Sequence, residues 1–282
     1  MSATPDTDSE QAKLWNGRSG RAWVDLQEAL DGLFEPFEHL LVDAVVAASA
    51  RQVLDIGCGT GATTLAVARR IGPKGGCVGL DISEPMLGTA RGRAERERVS
   101  TTFICADAQT YAFEPATFDM IVSRFGVMFF DNPVRAFANL RHATRENGEL
   151  RFIAWRSEAD NPFMTTAERA AAPLLPNLPP RRPDVPGQFA FADPERVRRI
   201  LDDAGWSGVD LQPLDVDCVL PEKTLDLYVT RLGPVGAILE NADQETRLRV
   251  TEIVRAAFAP YIRGGHAQFT AACWSVGARA LL

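Results

Sequence analysis

Apolar residues recur at helical spacing from the start of the chain. Leu14, Trp15, Trp23, Leu26 and Leu30, then Phe37, Leu40, Leu41 and Val45, sit among acids, which predicts amphipathic helices over residues 10–48. The period then changes. A short strand-like run, Gln52 to Ile56, meets a glycine-rich turn and a helical stretch from Ala62 to Ile71. The alternation continues, with strands expected at 77–81, 101–105, 118–123 and 149–155 and helices at 84–96 and 133–143. Such a pattern implies a parallel sheet with helices on both faces, a doubly wound α/β fold.

Beyond Trp155 the prolines Pro173, Pro176, Pro179, Pro180, Pro183 and Pro186 exclude helix interior and central strand, and predict an ordered loop or lid. Asp193-Pro194, an N-cap followed by a first-turn proline, starts a helix that stops at Gly205. A strand over 209–220, helices over 222–262 and a closing strand over 268–280 complete the chain. The expected architecture is a mostly parallel, Rossmann-like sheet of seven strands in three segments: N-terminal helices (1–48) covering a site, a core (49–155), and a region (156–282) of lid, helical substrate cap and last strands.

Composition narrows the functions. Of 282 residues, 46% are hydrophobic and 24% charged, as in a globular protein with an ample core. A formal charge of -7 offers no field to attract nucleic acid, and Arg91, Arg93, Arg96 and Arg98, interleaved with Glu95 and Glu97, read as a solvated helix face. Met1 to Gln11 is polar and acidic, unlike a secretory signal, and reads as a frayed tail. Leu40 to Ala50, interrupted by Asp43, is far too short for a bilayer span. The five cysteines stand singly, which points to reduced thiols in a cytoplasmic protein and to no metal site. Monomer and homodimer both fit.

The chemistry concentrates at Val53-Leu54-Asp55-Ile56-Gly57-Cys58-Gly59-Thr60-Gly61, a strand that ends in an acid and three glycines spaced two apart. Glycine serves where the backbone turns tightly and approaches a ligand. Asp55 would repel a pyrophosphate and attract an ammonium. Asp81 ends the next strand, where a carboxylate can accept ribose hydroxyls, and Asp107 ends the third, placed to accept from an adenine amino group. Each acid alone is equally a helix cap or loop residue. Three at successive strand ends form a pattern, because ligands of open parallel sheets bind outside those ends. A nicotinamide-dependent reductase is disfavoured by Asp55, by the glycine spacing and by the lack of a Tyr-x-x-x-Lys pair.

Over residues 50–155 the chain resembles the class I S-adenosylmethionine (SAM)-dependent methyltransferases, and is similar to the ubiquinone and menaquinone biosynthesis group. The resemblance implies that Asp55, Gly57, Gly59 and Gly61 cradle the methionine part of SAM. It gives Asp81 the ribose, Asp107 and the Ala108 amide the adenine, Ile82 and Met86 the flanks of base or ribose, and the Ser123 backbone the sulfonium end. Ser123-Arg124-Phe125-Gly126 replaces the Asn/Asp-Pro-Pro-Tyr/Phe type used on nucleobase and glutamine nitrogens. A bacterial subset shares the Trp15-Asn16-Gly17 start with Trp23, the segment Ser123 to Phe130, and Pro186 to Pro194. The implied activity is in-line methyl transfer to a small-molecule acceptor, on oxygen or carbon by preference, leaving S-adenosylhomocysteine. The alternative is a SAM-binding regulator without catalysis.

A general base is optional for this chemistry, because the sulfonium is already activated. The weak candidates are His39, His266 and Arg124, while His142 reads as a surface residue. The expected pocket walls are Trp15, Trp23, Arg124, Met128, Phe129, Trp155 and Phe163, each of which would equally serve as core filling. Arg124, following a strand, is either a substrate clamp or the partner of a nearby acid.

Overall fold

The computed structural model describes residues 9–182 and 185–281. Three helices lead: α1 (Glu10–Asn16), α2 (Arg18–Asp25) and α3 (Gln27–Ala47). The expected tail falls partly on residues 1–8, outside the described residues. From Ser9 the chain is already structured, since the Ser9 hydroxyl accepts from the Ala12 amide and caps α1.

The core alternates as the pattern requires: β1 (Gln52–Ile56), α4 (Ala62–Ile71), β2 (Gly76–Asp81), α5 (Glu84–Glu97), β3 (Thr102–Cys105), β4 (Phe118–Arg124), α6 (Pro133–Ala143) and β5 (Thr144–Trp155). Then follow α7 (Pro162–Ala171), α8 (Pro194–Asp203), β6 (Ser207–Pro221), α9 (Glu222–Arg231), α10 (Gly233–Leu239), α11 (Gln244–Phe258), β7 (Ile262–Arg263) and β8 (His266–Arg279). The sheet runs β3-β2-β1-β4-β5-β8-β6, with β7 paired only to β8. The first five strands are parallel, and β8 runs antiparallel to both β5 and β6. The helix α3 packs on α4 and on β4 to β6, whereas α6 packs on α8 and β5. Helical cover on the sheet buries Phe37, Phe137, Phe152 and Phe191.

Two elements depart from the sequence reading. Helix α7 was not foreseen, because its buried face mixes Phe163 and Ala171 with Thr165 and Thr166, which dilutes the apolar period. Strand β7 is the short arm of a hairpin that turns at Gly264 and Gly265, both with positive φ (56° and 77°), so helix ends before Ile262. The expected solvated face of α5 also needs correction. Arg93 points inward, bridging Asp31 of α3 at 2.8 Å and donating to the Thr60 carbonyl of the glycine loop at 2.9 Å. Among the described residues no helix is long and apolar enough to cross a membrane.

The register brings the carboxyl ends of the parallel strands together: Asp55 lies beside Gly79 and Val122, and Asp81 beside Cys105. On the other side, fully buried Asn161 fastens the exit of β5 to β8. Its Nδ2 donates to the Ala272 carbonyl at 2.9 Å, and its Oδ1 accepts from the Ala272 amide at 2.8 Å. Asn161→Ala would strand that buried N–H, at a cost of about 1–3 kcal/mol. The midpoint of urea unfolding should fall while the slope stays unchanged.

Candidate functional site

Chain direction changes after β1 in a loop that only glycine permits. Gly57 has φ +64°, and a Cβ there would lie 2.6 Å from the Gly126 Cα of the segment after β4. The two loops thus meet backbone to backbone. Gly59 has φ +55°, and a Cβ would lie 2.7 Å from Met86 Cε. Gly61, at φ +85°, is the N-cap of α4.

The buried Asp81 carboxylate ties this loop to the end of β2, since Oδ2 accepts from the Gly59 amide at 2.7 Å and Oδ1 from the Ser83 amide at 2.8 Å. Burial raises its pKa against the pull of those amides. Asp55 is also buried and accepts from Thr64 Oγ1 at 2.6 Å. Desolvation outweighs that bond and the field of Arg124, and pushes the Asp55 carboxyl up to about 7. Asp107 lies two residues past the end of β3 rather than on it, where Oδ1 accepts from the Gln109 amide at 2.8 Å.

A cavity of about 770 Å³ opens over these groups, within the range of small-molecule sites. Of the residues expected to hold a cofactor, Asp55, Gly57, Gly59, Asp81, Ile82, Met86, Asp107 and Ala108 line it. Gly61 and Ser123 do not. Ser123 stands behind the floor, its hydroxyl donating to the Ile56 carbonyl at 2.7 Å and accepting from the Gly126 amide at 3.2 Å, so it positions the loops.

The rest of the cavity is aromatic. Trp15, Trp23, Arg124, Met128, Phe129 and Trp155 line it as expected. Trp15 meets Phe129 edge to face at 5.0 Å, Trp23 stacks on Phe34 at 6.2 Å, and Phe125 stacks on Trp155 at 4.4 Å and 7°. Phe163 is absent from the lining and packs in the core, stacked on Phe269 at 3.8 Å. The histidines fail as candidate bases. His39 is exposed beside Glu35, His266 is exposed with Nδ1 near the Gly264 carbonyl, and His142 is exposed on α6.

Several wall residues were not foreseen. Phe34 lay in a helical stripe that reads as core, and Phe125 carries a φ of +63°, which sequence does not signal. Arg18, Arg181, Arg231 and Tyr228 come from the N-terminal helices, the proline-rich segment and α9. From the proline-rich segment Pro179, Arg181, Val185 and Pro186 line the cavity; Pro183 lies outside the described residues. Arg181 is fixed there by Glu168 and Gln188.

Acids fit for an ammonium, a ribose and an amino group, around a loop no side chain could enter, are a donor set suited to SAM. Residues 53–148 match the methyltransferase domain family. Over 122 residues, 43% of this chain, it is 32% identical to the aklanonic acid methyltransferase of a Streptomyces species, spanning 56% of that protein. Over 189 residues, 64% of this chain, it is 28% identical to the demethylmenaquinone methyltransferase of Renibacterium salmoninarum, spanning 76% of it. Over residues 53–148 the chain is therefore similar to SAM-dependent methyltransferases, and it spans about half the length of the aklanonic acid relative. The fold of this chain is similar to that of the YcgJ protein of Bacillus subtilis, with a TM-score of 0.56 at 16% identity over 87% of this chain and 98% of that one.

Asp55 gives the cavity a pH signature toward a ligand that carries an ammonium. An ammonium favours the ionised carboxylate, so S-adenosylhomocysteine affinity should fall below pH 7 by up to tenfold per unit, measured by calorimetric titration from pH 8 to pH 5.5. The fall should flatten in Asp55→Asn. Without cofactor the sign reverses for stability. Between the ordinary value of 3.8 and about 7 the folded chain holds a proton that the unfolded chain lacks, so stability drops as pH rises through that window.

Proposed function

We propose that this protein transfers the methyl group of SAM to a small-molecule acceptor, on oxygen or carbon, held in the aromatic half of the cavity. The observation that carries this reading is a single cavity shared by the acid-rich glycine loop and the stacked Phe125–Trp155 wall. The two relatives are named for aklanonic acid and demethylmenaquinone, both small molecules, which supports the same class of acceptor.

In this reading Asp55 receives the ammonium of the methionine part, Asp81 the ribose hydroxyls, and Asp107 with the Ala108 amide the adenine. Asp81 retains lone pairs for that task, because the Gly59 and Ser83 amides take one on each oxygen. Ile82 and Met86 flank the bound cofactor, and Ser123 holds the floor in place. Bound SAM supplies an activated methyl on a sulfonium, which leaves the chain to align the acceptor and exclude water. Trp15 and Trp23 from the N-terminal helices, and Pro179 and Pro186 from the proline-rich wall, serve the exclusion. Five free thiols, four of them buried, support a cytoplasmic site of action. A SAM-binding regulator would share the cofactor half, and turnover separates the two.

Calorimetric titration with S-adenosylhomocysteine should give micromolar binding, and NADPH none. Asp81→Ala and the milder Asp81→Asn should each weaken it roughly ten- to a hundredfold, the worth of one to two hydrogen bonds to a charged group. NADPH binding in place of S-adenosylhomocysteine would end the methyltransferase reading.

A further inference from the structure

The walls of the acceptor half carry a charge opposite to that of the chain. Against a formal net charge of -7, the cations on its walls are Arg18, Arg124, Arg181, Arg182 and Arg231, with Glu158 among them and Asp31, Glu38 and Asp55 near enough to act on Arg124. Arg18 is paired with Glu240 at 3.0 Å, Arg181 with Glu168, and Arg231 with Asp25 at 3.8 Å, and Arg182 has a partner too. Arg124 differs. Part-buried in the cavity wall, it donates to the Phe34 carbonyl at 3.3 Å, lies over the Phe34 ring at 5.9 Å, and makes no ion pair among the described residues. A guanidinium has five N–H donors, and with one spent on the Phe34 carbonyl the others remain for a ligand in the cavity.

The same half offers no histidine and no ionised phenol as a base, Glu158 being the carboxylate on its walls. All three histidines are on the surface, and Tyr228, with its pKa pushed up to about 12 by burial, holds its proton at neutral pH. Phenols and carbon acids need a proton removed before or during attack, whereas a carboxylic acid is ionised at neutral pH without help.

We propose that the acceptor is a planar aromatic carboxylic acid, stacked in the Phe34, Phe125 and Trp155 wall with Arg124 on its carboxylate, and that this carboxylate is the group methylated. The inference rests on the methyltransferase reading. One carboxylate oxygen takes the guanidinium, and the other supplies the electron pair for the new O–CH3 bond. The S–CH3 bond breaks with its electrons to sulfur, leaving a methyl ester and a neutral thioether, and no proton moves. An anion and a sulfonium thereby become two neutral groups, a change that a dry aromatic chamber favours.

The test titrates the protein saturated with S-adenosylhomocysteine with 2-naphthoate, 2-naphthamide and 2-naphthol, following tryptophan fluorescence. Naphthoate should bind at least tenfold more tightly than the other two. Arg124→Met should erase that preference while S-adenosylhomocysteine affinity changes less than twofold, and Arg124→Lys should restore part of it. With tritium-methyl SAM and 2-naphthoate, the label should be released as methanol by mild alkali, as an ester requires. Equal binding of the amide or naphthol, no binding of any probe, or label that is alkali-stable or absent overturns the proposal. Loss of S-adenosylhomocysteine affinity in Arg124→Met, with the naphthoate preference kept, would move Arg124 to the cofactor's carboxylate and overturn the clamp. Failure of the unsubstituted protein to bind S-adenosylhomocysteine is a different result, and sinks the methyltransferase reading itself.

Discussion

The site depends on one buried carboxylate. Asp81 accepts from the Gly59 amide and the Ser83 amide, and so welds the glycine loop after β1 to the segment after β2. Without it, the Gly59 and Ser83 amides would lose their acceptor, and the left-handed turn at Gly59 would lose its side-chain tie to the end of β2. The parallel register puts the acid there, because β1 and β2 pair so that Ile56 and Leu80 end together. A fold rule, a glycine and a carboxylate therefore meet at one place.

Electrostatics divides the cavity into halves that need opposite partners. Asp55 and Asp81 are buried and held above their ordinary pKa values, a cost that the cationic and hydroxyl-bearing cofactor proposed for them would offset. Arg124 sits close enough to lower the Asp55 value, yet the two are not in contact as an ion pair. Contact would satisfy both and leave neither for a ligand. The gap keeps one anion and one cation available on adjoining walls, at the cost of two desolvated charges.

Most of the core was legible in the sequence, since parallel strands read as short apolar runs and their helices as amphipathic stretches. Helices α4 and α6 run from Ala62 to Ile71 and from Pro133 to Ala143, as the pattern predicts. That Asp55, Asp81 and Asp107 line one cavity was legible because acids stand at or just past successive strands in the sequence. The acceptor half was less so. Phe163 and Phe34 are both aromatics on helices, and the sequence does not tell which one faces a cavity, so Phe163 was placed in the wall and Phe34 was missed. Such facing is decided by tertiary packing of α3 and α7, on which periodicity is silent. Phe125 escaped for another reason: its positive φ turns the chain so that the ring stacks on Trp155, and no local residue type signals that turn.

The Trp15-Asn16-Gly17 start, legible only as a mark of resemblance, has a physical reason in the structure. Asn16 Nδ2 donates to the Ile82 carbonyl at 2.9 Å, its Oδ1 accepts from the Glu84 amide at 2.9 Å, and the Ser83 hydroxyl donates to the Trp15 carbonyl at 2.6 Å. Gly20 makes the approach possible, since a Cβ there would lie 1.9 Å from the Trp15 carbonyl oxygen and 2.9 Å from Ser83 Oγ. The N-terminal cover thus bonds to Ile82–Glu84, the segment whose Ser83 amide is held by Asp81. A ligand that draws on Asp81 and Ile82 must act on the same few atoms that fasten the cover. The glycine loop and the N-terminal cover are for that reason one hydrogen-bonded unit, and a cofactor held by Asp81 as proposed would rest on a segment already fastened to Trp15.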